Sequence, residues 1–308
     1  AVCKVFENVN TGGVSLTVFE LVTASFATYD FDLRGNWDNV VRPRIWGEGL
    51  DIVTDVMRGV DATAFLTSMT LYSTFLTKRM LDKGHTSCKK KDVLDLKFED
   101  YQSNLDDLLE GFDIAREFLL GERIFRKRDL PYTTQVIPLA ATCAYIGRDK
   151  FKLQTNKNIL RQWLWCGIFG EMYGGANETR YANDIEDLVD AIEGNPSPMR
   201  TVNAAYFQSI RLLGLQTRNS AAYKGVMALV FREDCRDFID GEQMTMVKSM
   251  MTPPDIHHIF PQAYCQKIGL DKGKWNSIVN KTPLIYTTNR TIGGVAPSKY
   301  LPRGLKEG

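Results

Sequence analysis

Asp255-Ile256-His257-His258-Ile259-Phe260-Pro261 is the stretch on which the reading of this chain turns. The protein contains 3 histidines, and two of them stand side by side here, just after Pro253-Pro254. The run reads as a short apolar strand stopped by a proline. Histidine is the side chain most readily used as a base near neutral pH, and it is a common metal ligand. Neighbouring side chains on a strand splay to opposite sides. One histidine can therefore face a metal while the other faces an attacking water. That division suits hydrolysis of a phosphodiester, which needs a base for the water, a cation on the phosphate oxygens and a rigid frame.

The second half of the pattern lies downstream. Trp275 to Arg290 reads as loop, short strand and helix start, with asparagines at 280 and 289. An asparagine amide oxygen is a hard ligand suited to Mg²⁺ or Mn²⁺. Asn289 is placed to reach back to such an ion, and Asn280 to hydrogen-bond the loop that holds His258. From Met251 onward eight Lys/Arg oppose three Asp/Glu, a charge of +5, so the remainder carries −4 within the net +1. A basic end carrying the histidine pair suits a polyanion. The bland alternatives are a capped core strand and a structural zinc site. Zinc usually takes four Cys/His ligands, and only Cys265 is near.

At 308 residues, 44% apolar and 24% charged, the chain has the composition of a globular protein with room for two domains. It has no run of about 18 apolar residues, so no membrane span is expected. Six scattered cysteines without a C-x-x-C pair argue against a zinc ribbon or a disulfide framework and point to reduced thiols in the cytoplasm. Apolar residues at three- and four-residue spacing predict helices over 62–80, 101–120, 156–173, 182–192, 202–213 and 221–231. Breaks fall at Gly84 to Ser87, Leu130-Pro131, Gly147 to Asp149, Gly174-Gly175 and Gly194 to Pro198. A helix start is expected near Ser15 to Leu21, capped by Thr17 or Ser15. Before it, Asn10-Thr11-Gly12-Gly13 can present backbone N–H groups to a phosphate or form a plain turn. Lys89-Lys90-Lys91 reads as a solvated edge, and Trp163 to Tyr173 as core. Arg218 is either a cap neighbour or a phosphate contact.

His257-His258-Ile259-Phe260-Pro261, Asn280 and Asn289-Arg290 together resemble the HNH, or His-Me finger, nuclease motif. The resemblance implies a ββα-metal fold with His258 as general base and Asn280 orienting the base loop. It makes His257 and Asn289 the metal ligands, although the position of His257 is often Asp in that family. The Ser277-Ile278-x-Asn280-Lys281 stretch is similar to the HNH domain of RNA-guided CRISPR nucleases. Phe6 to Leu16, and Gly293-Gly294-x-Ala296-Pro297-Ser298-x-Tyr300-Leu301, resemble the GmrSD-type (type IV) restriction endonucleases. These join a ParB/sulfiredoxin-like nucleotide-hydrolysing domain, through a helical region, to an HNH domain. Their Asp-Gly-Gln-Gln-Arg motif is absent here. The expectation is a chain lacking that front half, with nucleotide as a cofactor only when the missing domain is present.

The expected fold class is therefore mainly α, a helical domain followed by a small C-terminal ββα-metal (HNH) module. The expected divisions are 1–30 as a remnant of the nucleotide-hydrolysing domain, 31–248 as the helical domain and 249–308 as the nuclease domain. The implied function is a metal-dependent endonuclease using one Mg²⁺ or Mn²⁺ on double-stranded DNA, of modified phage origin. Lys281, Arg290 and Lys299 are the candidate phosphate contacts, and Asn10 to Gly13 the candidate nucleotide loop. The expected protein partners are a second copy or the chain's own N-terminal domain. The alternative is a helical DNA-binding or regulatory module with an inactive or gated HNH part.

Overall fold

The computed structural model describes residues 16–50, 54–233, 235–239, 241–244 and 254–304, with residues 303 and 304 described by backbone alone. The expected phosphate loop at Asn10 to Gly13 lies outside the described residues. Helix α1 (Val18–Phe26) opens on the expected cap. The Thr17 hydroxyl accepts from the Glu20 amide at 3.3 Å, and the Glu20 carboxylate accepts from the Thr17 amide at 2.7 Å. This reciprocal pair satisfies two of the otherwise orphaned amides of the first turn. A helical run over 33–46 comes next, with a π-helical turn at Trp37–Val41.

Five longer helices form the body: α2 (Ala62–Leu81), α3 (Phe98–Gly121), α4 (Val136–Lys152), α5 (Gln154–Phe169) and α6 (Glu178–Glu193). The most extensive contact joins α3 to α4. Gly147, in the left-handed region at φ 65, kinks α4 where a break was expected. The main core runs from Phe19 in α1 to Val189 in α6 and takes in Ala228 further along the chain. Phe26 packs edge-on to Phe98 and Tyr101 at 5.4 and 5.3 Å. Val18, Phe19, Val22 and Phe26 of α1 therefore share the core of the helical body. Trp163 is buried, as expected of core, while Lys89, Lys90 and Lys91 are exposed.

One expected helix is absent as drawn. Over 202–213 the structure has a turn of helix at Arg200–Ala204, an extended Ala205 (φ −70, ψ 127), and another turn at Arg211–Gly214. Val202 packs against the main core and Leu212 against the core beside α7, while Tyr206, Ile210 and Leu213 between and beside them stay exposed. The chain instead bends so that Phe207 meets Phe169 edge-on at 5.3 Å. Helix α7 (Ala221–Arg232), capped by Ser220, then returns to the body. No disulfide joins the described cysteines, and no described helix is long and apolar enough to cross a membrane.

Past α7 the chain forms strand β1 (Asp255–His258), two short helices at 262–267 and 272–275, strand β2 (Lys281–Leu284), helix α8 (Tyr286–Ile292) and helix α9 (Pro297–Gly304). The strands are antiparallel, with Asp255 opposite Leu284 and His258 opposite Lys281. A second core of Leu215, Ala222, Tyr223, Met227 and Ile278, with Ile256 against it, joins this unit to α7. The Ile278 amide and the Ser277 hydroxyl donate to the carbonyls of Leu215 and Leu212, at 2.8 and 2.9 Å. The unit is thus seated on the 212–231 segment.

Candidate active site

The two histidines close strand β1, their ring centroids 6.4 Å apart and inclined at 69°. Asn280, which is 8% exposed, fixes the backbone just past them. Its Oδ1 accepts from the Phe260 amide at 2.8 Å, and its Nδ2 donates to the Phe260 and Trp275 carbonyls at 3.0 and 2.8 Å. The Ile259 amide donates to the Asn280 carbonyl at 2.8 Å. From the far side, the buried Tyr300 hydroxyl donates to the Ile259 carbonyl at 2.6 Å. The turn after His258 is therefore held by side-chain bonds on both flanks, which a catalytic frame requires.

His258 lies with its ring against the edge of buried Trp275, 5.4 Å between centroids. Its Nε2 stands 3.2 Å from the Asn276 Oδ1. An amide oxygen only accepts, so with this amide orientation the proton sits on Nε2 and Nδ1 keeps the basic lone pair. Burial pushes the His258 pKa below the ordinary 6.5 against the opposing Asn276 bond, and the Lys281 charge pushes the same way. The imidazole is thus neutral at neutral pH.

His257 is lowered too, by burial and by its neighbour His258, with Asp255 opposing. Its Nε2 is buried and has no hydrogen-bond partner. Asp255, one full pleat earlier, shares its face of the strand. The Asp255 Oδ2 accepts from the Asn289 Nδ2 at 3.2 Å. Asn289 is thus brought to β1 through Asp255, a contact that the sequence pattern does not specify. One imidazole, one carboxylate and one amide gather here. No group of three or more His, Cys, Asp and Glu suited to a metal forms among the described residues.

The three cations separate. Lys281 turns toward the helical body, donating to the Gln216 carbonyl at 2.7 Å with its ammonium 5.3 Å from the Tyr223 ring centre. Arg290 is exposed on α8, its guanidinium 5.7 Å from the Tyr286 ring centre, and Lys299 is exposed on α9. Arg218, undecided from sequence, donates to the Ile256 carbonyl at 3.3 Å and so braces β1.

Two supporting residues carry no local signal in the sequence. Asn276 fixes the His258 tautomer. Asp237, buried at 3% exposure, accepts from the Ile285 amide at 2.9 Å and the Thr288 hydroxyl at 2.7 Å, anchoring the start of α8. Its partners lie 48 and 51 residues on. No short-range pattern reports such a contact.

No protein-family model matches the chain. It is similar to an uncharacterized protein of Methanocaldococcus jannaschii, 25% identical over 318 aligned positions that take in 97% of this chain and 49% of that protein. The chain spans about half the length of that relative.

Proposed function

We propose that the chain is an HNH-type, metal-dependent DNA endonuclease, working in the cytoplasm in restriction of foreign, modified DNA in the manner of the GmrSD-type enzymes. The observation that carries this reading is the ordered hairpin end. Two adjacent histidines have distinct environments, one with its basic nitrogen free and one with a buried, unpartnered nitrogen. The turn beyond them is clamped by Asn280.

The His258 Nδ1 takes a proton from water as that water attacks the phosphorus. Asn276 holds the Nε2 proton, so the ring accepts at one atom only. Trp275 limits its rotation, and Asn280 with Tyr300 prevents the supporting turn from drifting. A divalent Mg²⁺ or Mn²⁺ fits the oxygen donors alongside, the Asp255 carboxylate and the Asn289 amide oxygen, and the orphaned His257 Nε2 adds a nitrogen that suits the transition metal better. When bound, the ion would polarise the phosphoryl oxygens and offset charge on the leaving 3′ oxygen. Arg290 and Lys299, exposed on α8 and α9, are the proposed phosphate contacts. Lys281 acts instead on the histidine through its charge and on the seating of β2. Double-strand cleavage calls for two such sites, from a second copy or one per strand in turn.

The test is conversion of supercoiled plasmid to nicked circle in Mg²⁺ or Mn²⁺, abolished by chelator. Plasmid that stays supercoiled with both ions would reject the active enzyme. A gated module is the second reading, and one contact favours it: Asn289 and Asp255, two of the three candidate ligands, hold each other.

The base also sets a pH dependence. His258 works unprotonated, so cleavage is complete above its folded pKa and lost as pH falls through it. Because that pKa lies below 6.5, the acid limb of kcat/KM falls below 6.5 as well. Lys281→Met removes one lowering charge, so the limb moves toward higher pH. Profiles of both proteins between about pH 5 and 8 check this. A wild-type limb above 6.5, or a variant limb that moves down, contradicts it.

A further inference from the structure

Between α7, the turn after α3 and the back of β1 lies a cleft of about 340 Å³. Its interior is apolar and aromatic, formed by Phe125, Tyr223, Met227 and Phe231. Phe125, Tyr223 and Met227 are 5%, 2% and 7% exposed, so this floor is built into the core and not laid on the surface. Its polar lining is strongly unbalanced. Arg123, Arg126, Arg128, Arg218 and Lys224 line it, against the single carboxylate of Asp129. A second hollow adjoins it through Arg126, Arg128 and Lys224 and adds Lys127 and one more carboxylate, Asp55.

The local backbone supports the same arrangement. The Ile124 amide donates to the Leu119 carbonyl at 2.9 Å and the Arg123 amide to the Leu120 carbonyl at 3.0 Å, a Schellman ending of α3. Arg123 occupies the left-handed position of that motif, at φ 65, where glycine is the usual residue. The chain thus holds an arginine at the cleft in a conformation disfavoured for side chains. Burial pushes the Asp129 carboxyl up, against Arg128, Arg126 and Lys224, and pushes the Lys224 ammonium down. A partly desolvated ammonium, while it is charged, attracts an incoming anion more strongly than one in bulk water.

An apolar floor with a cationic rim, at the volume of a small-ligand pocket, excludes a bare oxyanion as the best occupant, because phosphate alone would leave the floor uncovered. It also excludes an intact duplex, which is too wide to enter. We propose that this cleft binds one nucleotide, its base against Tyr223, Met227 and Phe231 and its phosphates against Arg123, Arg126, Arg128 and Arg218. The nucleotide is either free or a single unpaired unit of a nucleic-acid strand. Pro254 and Ile256 form part of the wall, and Arg218 is bonded to the Ile256 carbonyl. An occupant would therefore touch the strand that carries the histidines from behind. The site stands apart from the nuclease reading.

The test is calorimetric titration of the full chain with AMP, ATP, pyrophosphate and a single-stranded tetranucleotide. Saturable binding of a nucleotide, tighter than that of pyrophosphate, is expected. Arg128→Glu and Phe231→Ala should each weaken it about tenfold or more, with melting curves confirming folded proteins. Arg128 is 63% exposed in its side chain, so that variant folds even if the loss of Phe231 is not tolerated. His258→Ala should bind as the wild type does, whatever its effect on DNA cleavage. Tighter binding of the tetranucleotide than of AMP assigns the nucleotide to a strand, and the reverse assigns it to a free ligand. No saturable heat with any nucleotide, pyrophosphate binding as tightly as ATP, or an unchanged affinity in Arg128→Glu overturns the proposal.

Discussion

His258→Ala lowers the plasmid-nicking rate by a factor on the order of 10² to 10⁴, the usual contribution of a positioned general base, and leaves DNA affinity nearly unchanged. The asymmetry comes from where the ring sits. His258 is half-buried behind Trp275 and bonded to Asn276, whereas the proposed phosphate contacts, Arg290 and Lys299, lie on other elements. Removing the ring deletes the proton acceptor without deleting a cation, because the imidazole is neutral at the working pH. The fold should also survive. Asn280 and Tyr300 bind the turn through its backbone, and those bonds do not involve the deleted ring. A useful companion is Asn276→Ala, in which the ring stays but the Nε2 proton loses its acceptor. It should lower kcat by a smaller factor than His258→Ala and leave KM close to wild type. Single-turnover rates at saturating Mn²⁺, with filter binding of the same DNA, separate the two quantities. If wild type and His258→Ala nick at the same rate, His258 is not the base.

Most of the longer helices were legible from apolar spacing along a continuous segment, whereas α4 (Val136–Lys152) was not among those expected. Ala62–Leu81, Phe98–Gly121 and Ala221–Arg232 match their apolar spacing to within a turn, since an amphipathic stripe is a local signal. The same signal misled at 202–213, where Val202 and Leu212 pack against different cores and Phe207 meets Phe169 between them. The two strands around the histidines were also legible, from a short apolar run ended by proline and from turn residues before β2. The groups that support the histidines were not. Asn276 looks like any loop asparagine, and Asp237 acts through partners about fifty residues away. The inward turn of Lys281 depends on Gln216 and Tyr223, which only the fold brings near. Arg126-Lys127-Arg128 drew no reading from the sequence, because Phe125, Tyr223 and Phe231 come together beside it only in the fold. Local pattern reports which residues form elements. It does not report which distant side chain lies opposite a given atom.

Gly111→Ala is the stability counterpart, and here two physical effects oppose each other. Gly111 lies inside α3, where replacing glycine by alanine ordinarily favours the helix by about 1 kcal/mol. At this position a methyl carbon would stand 2.3 Å from the Ala140 carbonyl oxygen, 2.7 Å from the Ala144 amide nitrogen and 2.8 Å from the Ala144 Cβ. The first two are backbone atoms of α4 and cannot rotate away, so α3 and α4 must move apart. They do so along the most extensive helix contact in the protein, loosening Phe112, Ala115, Ala140 and Cys143, all at 0% exposure. Overpacking a close-packed core costs about 1–3 kcal/mol, and more where the obstacle is backbone. With the clash at the top of that range it outweighs the propensity gain, and a net loss of about 2 kcal/mol is expected, or a fall in Tm of roughly 3–4 °C for a chain of this size. Gly121, at the end of the same helix, is the control. Nothing lies within 4 Å of the position its methyl would take, so Gly121→Ala should match or slightly exceed wild type. Thermal unfolding of the three proteins by circular dichroism decides the matter. A Gly111→Ala variant melting at or above wild type would mean that the two helices separate at negligible cost, and the close crossing would not be what holds glycine at this position.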